Sequence, residues 1–448
     1  MSKKILFIVP QLPYPPHHGS SLRNYHLIRT LAAHHTIDLL AFSVPENALA
    51  ADNPLNRICR NIATVSQPTR SSALRILDTF RKRLPDMALR LECAQMRALV
   101  YEWAVEKRHQ TEYDIVQVEG IEMAQYGLAI VDAFESLADA EQNTAGHSVK
   151  KINRPLFVFD DHNCEYLLQK RNALNDLRVP RRWPAAAYSV VQWQKLKWYE
   201  ALICKKADAV SVVSPADRDA LLTLVGEIDI TVISNGVALN EYTSVLKGTS
   251  INASSENHAE CEASYQLPPK KLLFVGKMDY RPNVDAVLWF ANQVLPMIQQ
   301  QDPSVHFEIV GINPHERLNP LRNRDGIIVV GQVKSIVPYL REATAYVIPL
   351  RVGGGTRFKA LEAMAASMPI VSTRLGVEGI PVAHNQELLL ADTPQTFADE
   401  VLRLLENSDE AEQLRRDLGT AGRHFVEEQY SWNTIIPRLE EIYTHIQK

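Results

Sequence analysis

The stretch AYVIPLRVGGGTRFKALEAMA, residues 345–365, contains an apolar segment, three consecutive glycines and a helical pattern in immediate succession. The apolar segment Ala345–Ile348 predicts a buried strand, and the residues from about 356 onward have the apolar spacing of an α-helix. Glycines let a ligand approach the backbone, and the free N–H groups of a helix N-terminus attract anions. The junction therefore predicts an α/β fold with an anion-binding loop, centred on Gly353, Gly354, Gly355 and Thr356.

Glycine is otherwise scarce in this chain, which makes the cluster informative. The 448 residues contain 18 glycines, about 4% against a usual value of roughly 7%. In the same segment Arg357 and Lys359 add positive charge, and Glu362 can accept hydrogen bonds from ligand hydroxyls. A glycine-rich turn before a solvated helix face is the alternative interpretation. The coincidence of glycine, cation and carboxylate favours ligand binding.

Strands and helices alternate along the rest of the chain. A strand at Ile5–Val9, a Pro-rich loop, a helix opened by Gly19 and a strand at Ile37–Ser43 form the first repeat. Apolar runs predict further strands, at residues 115–118, 156–159, 209–213, 231–233, 272–275, 306–310, 327–330, 345–348 and 370–372. Helices are predicted near residues 70–110, 186–206, 283–301, 334–342, 356–366, 394–406 and 408–447. This alternation predicts two doubly wound, Rossmann-like α/β domains.

Two polar segments interrupt this pattern. Residues 138–151 are predicted to form a surface loop, and residues 247–264 have no apolar period, which predicts a linker or an insertion. We therefore predict one domain over residues 1–240, a linker over 241–268, a second domain over 269–425 and a tail helix over 426–448. Two α/β halves of similar size predict a ligand site in the cleft between them.

Composition excludes several classes of protein. The chain has 48 Lys and Arg against 52 Asp and Glu, a net charge of -4, which argues against a general nucleic-acid binder. Five widely spaced cysteines without a CxxC pair indicate neither a zinc site nor a disulfide framework, and a reducing, cytoplasmic compartment fits best. Without an apolar run of about 18 residues, no membrane span is predicted. The sequence also shows no dense carboxylate–histidine cluster, so no metal site is predicted.

Other candidate side chains share a position near the end of a predicted strand. A cation after a strand, as in Gly276-Lys277, can stabilise the charge of a departing diphosphate. A lone histidine in such a place is more often a structural hydrogen bonder. The candidates are Gly19, Arg23, Glu119, His162, Asn163, Lys277, Arg281 and Glu378.

The segment Glu362-Ala-Met-Ala-Ala-Ser-Met-Pro369-Ile-Val resembles the donor-binding motif of GT-B glycosyltransferases, specifically the retaining enzymes of family 4. Most members of that family have two glutamates in this motif, and the first of them would fall at Gly354 in this chain. This sequence instead resembles the branch of the family that has Gly-Thr-Arg-x-Lys at this place. The resemblance implies two Rossmann-like domains facing across a cleft, with the tail helix packing back on the first. It implies a metal-independent enzyme without a cofactor, which moves a sugar from a nucleotide-diphosphate sugar to a hydroxyl.

The resemblance also implies roles for the candidate residues. Glu362 would hold the nucleotide ribose, Lys277 would grip the diphosphate, and His162 would lie near the donor sugar; these three are the predicted catalytic residues. The predicted donor-binding residues are Gly19, Arg281, Gly353, Gly354, Gly355, Thr356, Arg357, Lys359 and Glu378. The predicted acceptor-side residues are Arg23, Asn163 and Glu119.

The expected partners are a nucleotide sugar and a saccharide or lipid-linked saccharide acceptor, in polysaccharide or glycolipid assembly. Basic amphipathic stretches at residues 70–90 and 178–200 suggest peripheral contact with the inner face of a membrane, with ordinary packing on the sheet as the alternative. Two other functions stay open. One is another GT-B chemistry, a phosphorylase or an epimerase. The other is a non-catalytic sugar-nucleotide-binding module of a polysaccharide assembly complex.

Overall fold

The chain folds into two compact units, Met1–Asn235 with Ile435–Lys448 (unit 1) and Gly236–Thr434 (unit 2). The structure, a computed structural model, describes residues 2–16, 19–45, 47–109, 112–144, 153–178, 180–247, 270–353 and 357–445. Of the predicted insertion at 247–264, only Lys247 lies within these ranges. Among the described residues, no helix is both long and apolar enough to cross a membrane.

Unit 1 contains a parallel sheet with the order β3-β2-β1-β4-β5-β6-β7 over its described residues. The strands are β1 Lys4–Val9, β2 Thr36–Ser43, β3 Asn61–Ser66, β4 Ile115–Glu119, β5 Leu156–Asp161, β6 Ala209–Val212 and β7 Ile230–Val232. β1 and β4 are in register at Phe7 and Gln117, where the strand order reverses. Strands buried on both faces read as apolar runs, which is why most of them are recognisable in the sequence.

Helices cover both faces of the unit 1 sheet. They are α1 Gly19–Leu31, α2 Leu55–Ile58, α3 Ser72–Arg81, α4 Asp86–Arg90, α5 Ala94–Ala104, α6 Ala124–Thr144, α7 Glu165–Leu177, α8 Trp183–Lys206 and α9 Pro215–Val225. The sequence explains why α9 begins where it does. The Ser214 side chain caps the helix by accepting a hydrogen bond from the Asp217 N–H, and Pro215 occupies the first turn.

Unit 2 repeats this plan around a parallel sheet with the order β10-β9-β8-β11-β12-β13 over its described residues. Its strands are β8 Lys271–Val275, β9 His306–Val310, β10 Ile327–Gly331, β11 Ala345–Ile348, β12 Ile370–Ser372 and β13 Leu389–Leu390. Its helices are α10 Leu239–Lys247, α11 Arg281–Trp289, α12 Leu295–Gln301, α13 Val337–Glu342, α14 Phe358–Ala365, α15 Pro394–Leu405 and α16 Asp409–Gln429. A last helix, α17 Trp432–His445, begins in unit 2, and its residues from Ile435 onward belong to unit 1.

The prediction of two doubly wound α/β domains is confirmed, and four local predictions are wrong. The helix predicted at 70–110 is three helices, because the backbone between them is extended at Lys82, Pro85 and Cys93. β3 and β13 were not predicted, since one is half-exposed at a sheet edge and the other has two residues. The loop predicted at 138–151 is helical through Thr144, and the tail predicted at 408–447 breaks between α16 and α17.

Candidate functional site

The glycine motifs of unit 2 follow two neighbouring strands at the point where the strand order reverses. Gly276 follows β8 and Gly353 lies beyond β11, and these strands pair in parallel at the centre of the sheet. Ligands of doubly wound sheets bind beyond the carboxyl ends of the strands at such a reversal. The topology therefore brings the two motifs together although 76 residues separate them.

Gly276 is required by a close crossing of two backbones. Its N–H donates to the Val310 carbonyl at 3.0 Å, and a Cβ atom on Gly311 would lie 1.7 Å from the Gly276 carbonyl oxygen. A Cβ on Gly276 itself would lie 2.7 Å from Asn283 Nδ2. Glycine at both positions lets the ends of β8 and β9 touch, which fixes the backbone that presents Lys277.

Asn283 joins the two motifs by hydrogen bonds. Lys359 Nζ donates to Asn283 Oδ1 at 2.7 Å, and Asn283 Nδ2 donates to the Lys277 carbonyl at 2.9 Å. The Lys359 ammonium also lies 4.3 Å from the ring centroid of Phe274. Sequence analysis did not assign a role to Asn283. Its position in the first turn of α11, directly after the Gly-Lys strand end, is the signal that could have found it.

Glu362 and Lys359 lie one helical turn apart on α14, and burial shifts both of their pKa values. Burial lowers the pKa of Lys359 to about 7, with a further contribution from the charge of Arg357. Burial raises the pKa of Glu362 to about 7, although the Tyr242 hydroxyl donates a hydrogen bond to this carboxyl and opposes the rise. Tyr242 on α10 is a second site residue that sequence analysis did not find, because only the tertiary fold brings it to Glu362.

Arg357 ties the glycine loop to Glu378. Its Nη2 donates to the Gly353 carbonyl at 3.4 Å and to Glu378 Oε2 at 3.3 Å. The Arg357 side chain is buried, which lowers its pKa. Gly353 has a φ of 118°, in the region that favours glycine. Gly354, Gly355 and Thr356 lie outside the described residues.

α14 begins at Phe358, two residues after the start predicted near Thr356. One predicted position in this region needs correction. Glu378 follows a 3-10 helix at Arg374–Val377 and does not directly follow a strand, because the chain turns once more after β12.

The remaining predicted cations of unit 2 are exposed. The Lys277 side chain keeps 45% of its surface accessible and lies 3.5 Å from Asp279 Oδ2. Arg281 is exposed as the first residue of α11. Both side chains can therefore reach an anion from solvent, while Lys359 is held in place.

The candidate residues of unit 1 form a buried network at the ends of β4 and β5. Arg23 binds Asp160 through two hydrogen bonds of 2.8 and 3.1 Å, and His162 Nε2 lies 2.7 Å from Glu119 Oε2 and 3.7 Å from Asp160 Oδ2. Arg23 Nη1 also donates to the Ser234 carbonyl and to Asn235 Oδ1. The network thus links α1, β4, β5 and the last residues of unit 1's main segment.

Mutual electrostatics sets the protonation of this network. Burial acts to lower the pKa of His162, but the hydrogen bond and the charge of Glu119 outweigh it and raise that pKa. Burial, with the charge of Asp160, raises the pKa of Glu119. Burial acts to raise the pKa of Asp160, but the charges of Arg23 and His162 outweigh it and lower that pKa. The network therefore favours a protonated imidazole held between two carboxyl groups.

His162 keeps one ring nitrogen available. Nε2 is engaged by Glu119, whereas Nδ1 has no hydrogen-bond partner among the described residues. Gly120, with a φ of 82°, places the position of a Cβ atom 3.8 Å from Nδ1, so a larger residue there would cover this nitrogen. Nδ1 is thus the atom of His162 that can donate to a ligand hydroxyl.

A hydrogen-bond relay connects His162 to the last helix. The Tyr443 hydroxyl donates to Gln117 Oε1 at 3.2 Å, and Gln117 Nε2 donates to Glu119 Oε1 at 2.9 Å. Glu119 Oε2 then faces His162. Tyr443 and Gln117 belong to this network although sequence analysis did not identify them, because 326 residues separate the two.

The structure corrects the acceptor-side predictions for two residues. Arg23 is 1% exposed and Glu119 is fully buried, so neither can contact an acceptor directly in this structure. Their charges are used within the network instead. Asn163 is half-buried and hydrogen-bonded to Glu165, and Gly19 is exposed at the start of α1.

The prediction that this protein has no dense cluster of carboxylates and histidine is also wrong. Ligand atoms of Glu119, Asp160 and His162 lie within 4.8 Å of one another. Each of these atoms already takes part in a hydrogen bond or ion pair with a protein partner. The residue set therefore fits a shared proton better than a metal ion, and metal independence stays a prediction.

Comparison with known proteins shows similarity to glycosyltransferases. Residues 269–407 match the family model of glycosyl transferases group 1. An uncharacterized 44.6 kDa protein in the cps region of Klebsiella pneumoniae is 22% identical over 90% of this chain and 91% of its own length. A GDP-mannose-dependent alpha-(1-6)-phosphatidylinositol monomannoside mannosyltransferase of Mycobacterium tuberculosis is 28% identical over 33% of this chain and 41% of its own.

Two solved structures share the fold over almost the whole chain. Sucrose-phosphate synthase from Thermosynechococcus elongatus has a TM-score of 0.63 at 17% identity and covers 99% of both chains. The Anabaena HepE protein in complex with UDP and glucose has a TM-score of 0.59 at 14% identity, again over 99% of both chains. The fold is therefore that of GT-B glycosyltransferases, and the comparisons together support a glycosyltransferase.

Proposed function

We propose that this protein is a retaining glycosyltransferase, which moves a sugar from a nucleotide-diphosphate sugar to a hydroxyl acceptor in polysaccharide or glycolipid assembly. The observation that carries the proposal is the Lys359–Asn283–Lys277 connection at the strand-order reversal of unit 2. It joins the buried Lys359 to the exposed Lys277 next to Gly276, and two cations beside a glycine at a strand end suit a diphosphate.

Donor binding is assigned to unit 2. Lys277 and Lys359 face the diphosphate, and Glu362, held by Tyr242, accepts hydrogen bonds from the ribose hydroxyls. Burial matters here because a carboxyl in a dry site forms stronger hydrogen bonds than one in water. The HepE complex with UDP and glucose supports a nucleotide-sugar ligand for this fold.

The proposed chemistry keeps the configuration of the donor sugar. The bond between the anomeric carbon and the diphosphate oxygen breaks, and the acceptor oxygen bonds to the same face of that carbon. The acceptor proton moves to the departing diphosphate oxygen, so the step requires neither a protein nucleophile nor a metal. Lys277 and Lys359 stabilise the charge that develops on the diphosphate.

His162 is assigned to a sugar hydroxyl. Its Nδ1 is available, and the raised pKa keeps the ring protonated over a wider pH range, so Nδ1–H can donate. Asn163 follows it on the same loop. The Mycobacterium mannosyltransferase acts on a phosphatidylinositol mannoside according to its name, which supports a glycolipid acceptor as one option.

The test is transfer and hydrolysis with a panel of UDP-, GDP-, ADP- and TDP-sugars. The chosen donor should bind more weakly to Lys277→Ala, with turnover lowered by about 100-fold for the lost contact to the transition-state charge. Lys334→Ala, which removes another exposed lysine of unit 2, is the matched control and should retain full activity. Activity that survives both Lys277→Ala and Glu362→Ala would refute the site.

The absence of a glutamate at Gly354 favours one second candidate, a non-catalytic sugar-nucleotide-binding module. That function predicts a thermal shift with a nucleotide sugar but no turnover with any acceptor. The same panel therefore separates the two functions.

A further inference from the structure

Two short segments of unit 1 concentrate positive charge in a chain whose net charge is -4. Residues 70–83, RSSALRILDTFRKR, contain five Lys or Arg and one Asp. Residues 170–183, KRNALNDLRVPRRW, also contain five Lys or Arg and one Asp. Each segment thus has a net charge of +4, part of which is paired in the structure, since Arg70 and Arg75 bind Asp86 and Lys82 binds Glu92.

The first segment also exposes large apolar side chains. It contains α3, in which Thr79 alone is buried. Leu74, Ile76 and Leu77 are exposed, and Phe80 keeps 76% of its surface accessible. A soluble helix normally turns such residues toward a core, so this face is without a protein partner in the described part of the chain.

The second segment adds apolar side chains at the tip of the α7–α8 hairpin. Leu174 and Leu177 near the end of α7 are exposed, and Trp183 at the start of α8 is 59% exposed. Arg181 and Arg182 directly precede this tryptophan. Aromatic rings next to arginines are typical of side chains that lie at a membrane–water interface.

Contacts with α8 connect the two segments. The Lys195 ammonium donates to the Thr79 carbonyl at 2.6 Å, and Gln192 Nε2 donates to Thr79 Oγ1 at 3.0 Å. Closer to Trp183, Tyr188 and Arg75 both bind Asp86. α3 is therefore anchored on α8 through Thr79, the residue that it buries, and α8 carries Trp183 at its first position.

We infer that α3 and the α7–α8 tip form a docking surface for an anionic lipid bilayer. Apolar and aromatic side chains enter the headgroup region. Arg81, Arg178 and Arg181, which are exposed and have no ion pair among the described residues, pair with lipid phosphates. A nucleic acid would match the charge but would leave Phe80, Leu77 and Trp183 in contact with water. The inference does not depend on the proposed transfer reaction, since it concerns a different surface and a different ligand.

Vesicle co-sedimentation of the full chain tests this surface. At low salt the protein should pellet with vesicles of phosphatidylglycerol and phosphatidylcholine, and it should stay in the supernatant with pure phosphatidylcholine. Arg81→Gln with Arg181→Gln should lower partitioning about 25-fold, or about fivefold for each cation removed. Phe80→Ser should lower it about tenfold through loss of apolar insertion.

Matched changes in unit 2 serve as controls. Arg322→Gln with Lys334→Gln removes two exposed cations, and Ile328→Ser removes an exposed apolar side chain. Neither should change partitioning. Failure to pellet with anionic vesicles at low salt would overturn the inference, as would equal losses in the control variants. Sedimentation velocity that shows a dimer converted to a monomer by Phe80→Ser would also overturn it, because the face would then bind a second copy.

Discussion

Replacement of Arg23 by methionine should destabilise unit 1 because it leaves Asp160 as an unpaired buried charge. The Arg23 guanidinium makes two hydrogen bonds to Asp160, one to the Ser234 carbonyl and one to Asn235 Oδ1. Both members of the ion pair are 1% exposed. Methionine fills a similar volume without a charge, so the change isolates the electrostatic loss.

The expected loss of unfolding free energy lies at the lower end of the range known for buried ion pairs. Removal of one partner of a buried ion pair costs about 3–5 kcal/mol of unfolding free energy. Asp160 keeps the Ser211 hydroxyl as a donor at 2.7 Å and the neighbouring imidazole of His162. We therefore expect about 3 kcal/mol, and Arg23→Met with Asp160→Asn should recover about half of it.

The effect of Arg23→Met on unfolding free energy should depend on pH. In the native network the pKa of Asp160 is lowered, so the carboxylate contributes stability above its unfolded pKa of about 3.9 and loses it as pH falls. Without Arg23, burial dominates and the folded pKa rises above the unfolded value. The unpaired carboxylate then destabilises the fold at neutral pH, and this destabilisation decreases as the carboxylate becomes protonated at lower pH. The difference between Arg23→Met and wild type should therefore shrink from pH 7.5 to pH 5.5.

Hydrogen exchange measured by mass spectrometry reports each unit separately. Backbone amides of β5 should lose protection in Arg23→Met, while those of β9 in unit 2 serve as the internal control and should not change. If Arg23 contacted an acceptor instead, protection would stay within about 1 kcal/mol of wild type and the acceptor KM would rise. That result would refute the assignment of Arg23 to the buried network.

Three further changes test the two sites. Tyr443→Phe removes the donor that orients Gln117, so Glu119 loses support for its charge and the pKa of His162 should fall, as measured by NMR of labelled histidine. Gly311→Ala places a Cβ atom 1.7 Å from the Gly276 carbonyl oxygen, so nucleoside-diphosphate binding measured by calorimetry should be lost. Lys359→Gln should weaken that binding about tenfold at pH 6, and it should abolish the loss of affinity that wild type shows as pH rises from 6 to 8.5.

Each of these changes has a control or a contradicting outcome. Tyr126→Phe removes another buried tyrosine hydroxyl of unit 1, bonded to the Leu91 carbonyl, and should leave the pKa of His162 unchanged. Unaltered ligand affinity in Gly311→Ala would contradict the placement of the binding site at the end of β8. Lys334→Gln should retain the pH dependence of wild type, and a flat wild-type profile would exclude Lys359 as the titrating group.

Much of the fold was predictable because buried parallel strands are apolar along their whole length. β1, β9, β11 and β12 are recognisable because most of their residues are apolar, with the sequences KILFIV, HFEIV, AYVI and IVS. β3, with the sequence NIATVS, has only Val65 fully buried, and its polar residues hide it. Edge strands need neighbours to form, so local sequence does not mark them as strongly.

For the candidate site, the sequence predicted which positions belong to it but not which side chains contact one another. Glycines and cations at strand ends located Gly276, Lys277, Gly353 and Lys359, because these residue types serve that role wherever a strand meets a helix. The supporting residues were harder to find. Only Asn283 carries a local signal, its position directly after the Gly-Lys strand end, whereas Tyr242, Gln117 and Tyr443 carry none. Their roles arise from contacts between distant parts of the chain, which sequence spacing does not encode.

Burial also changes what the predicted charges can do. From sequence alone, Lys359 is a permanent cation and Glu362 a permanent anion at neutral pH. In the structure both titrate near pH 7, so each is only partly charged before a ligand arrives. Under the proposed function, a bound diphosphate would favour the protonated form of Lys359, and this would link affinity to proton uptake. Under the proposed function, the burial of Lys359 would therefore make donor binding sensitive to pH near neutrality.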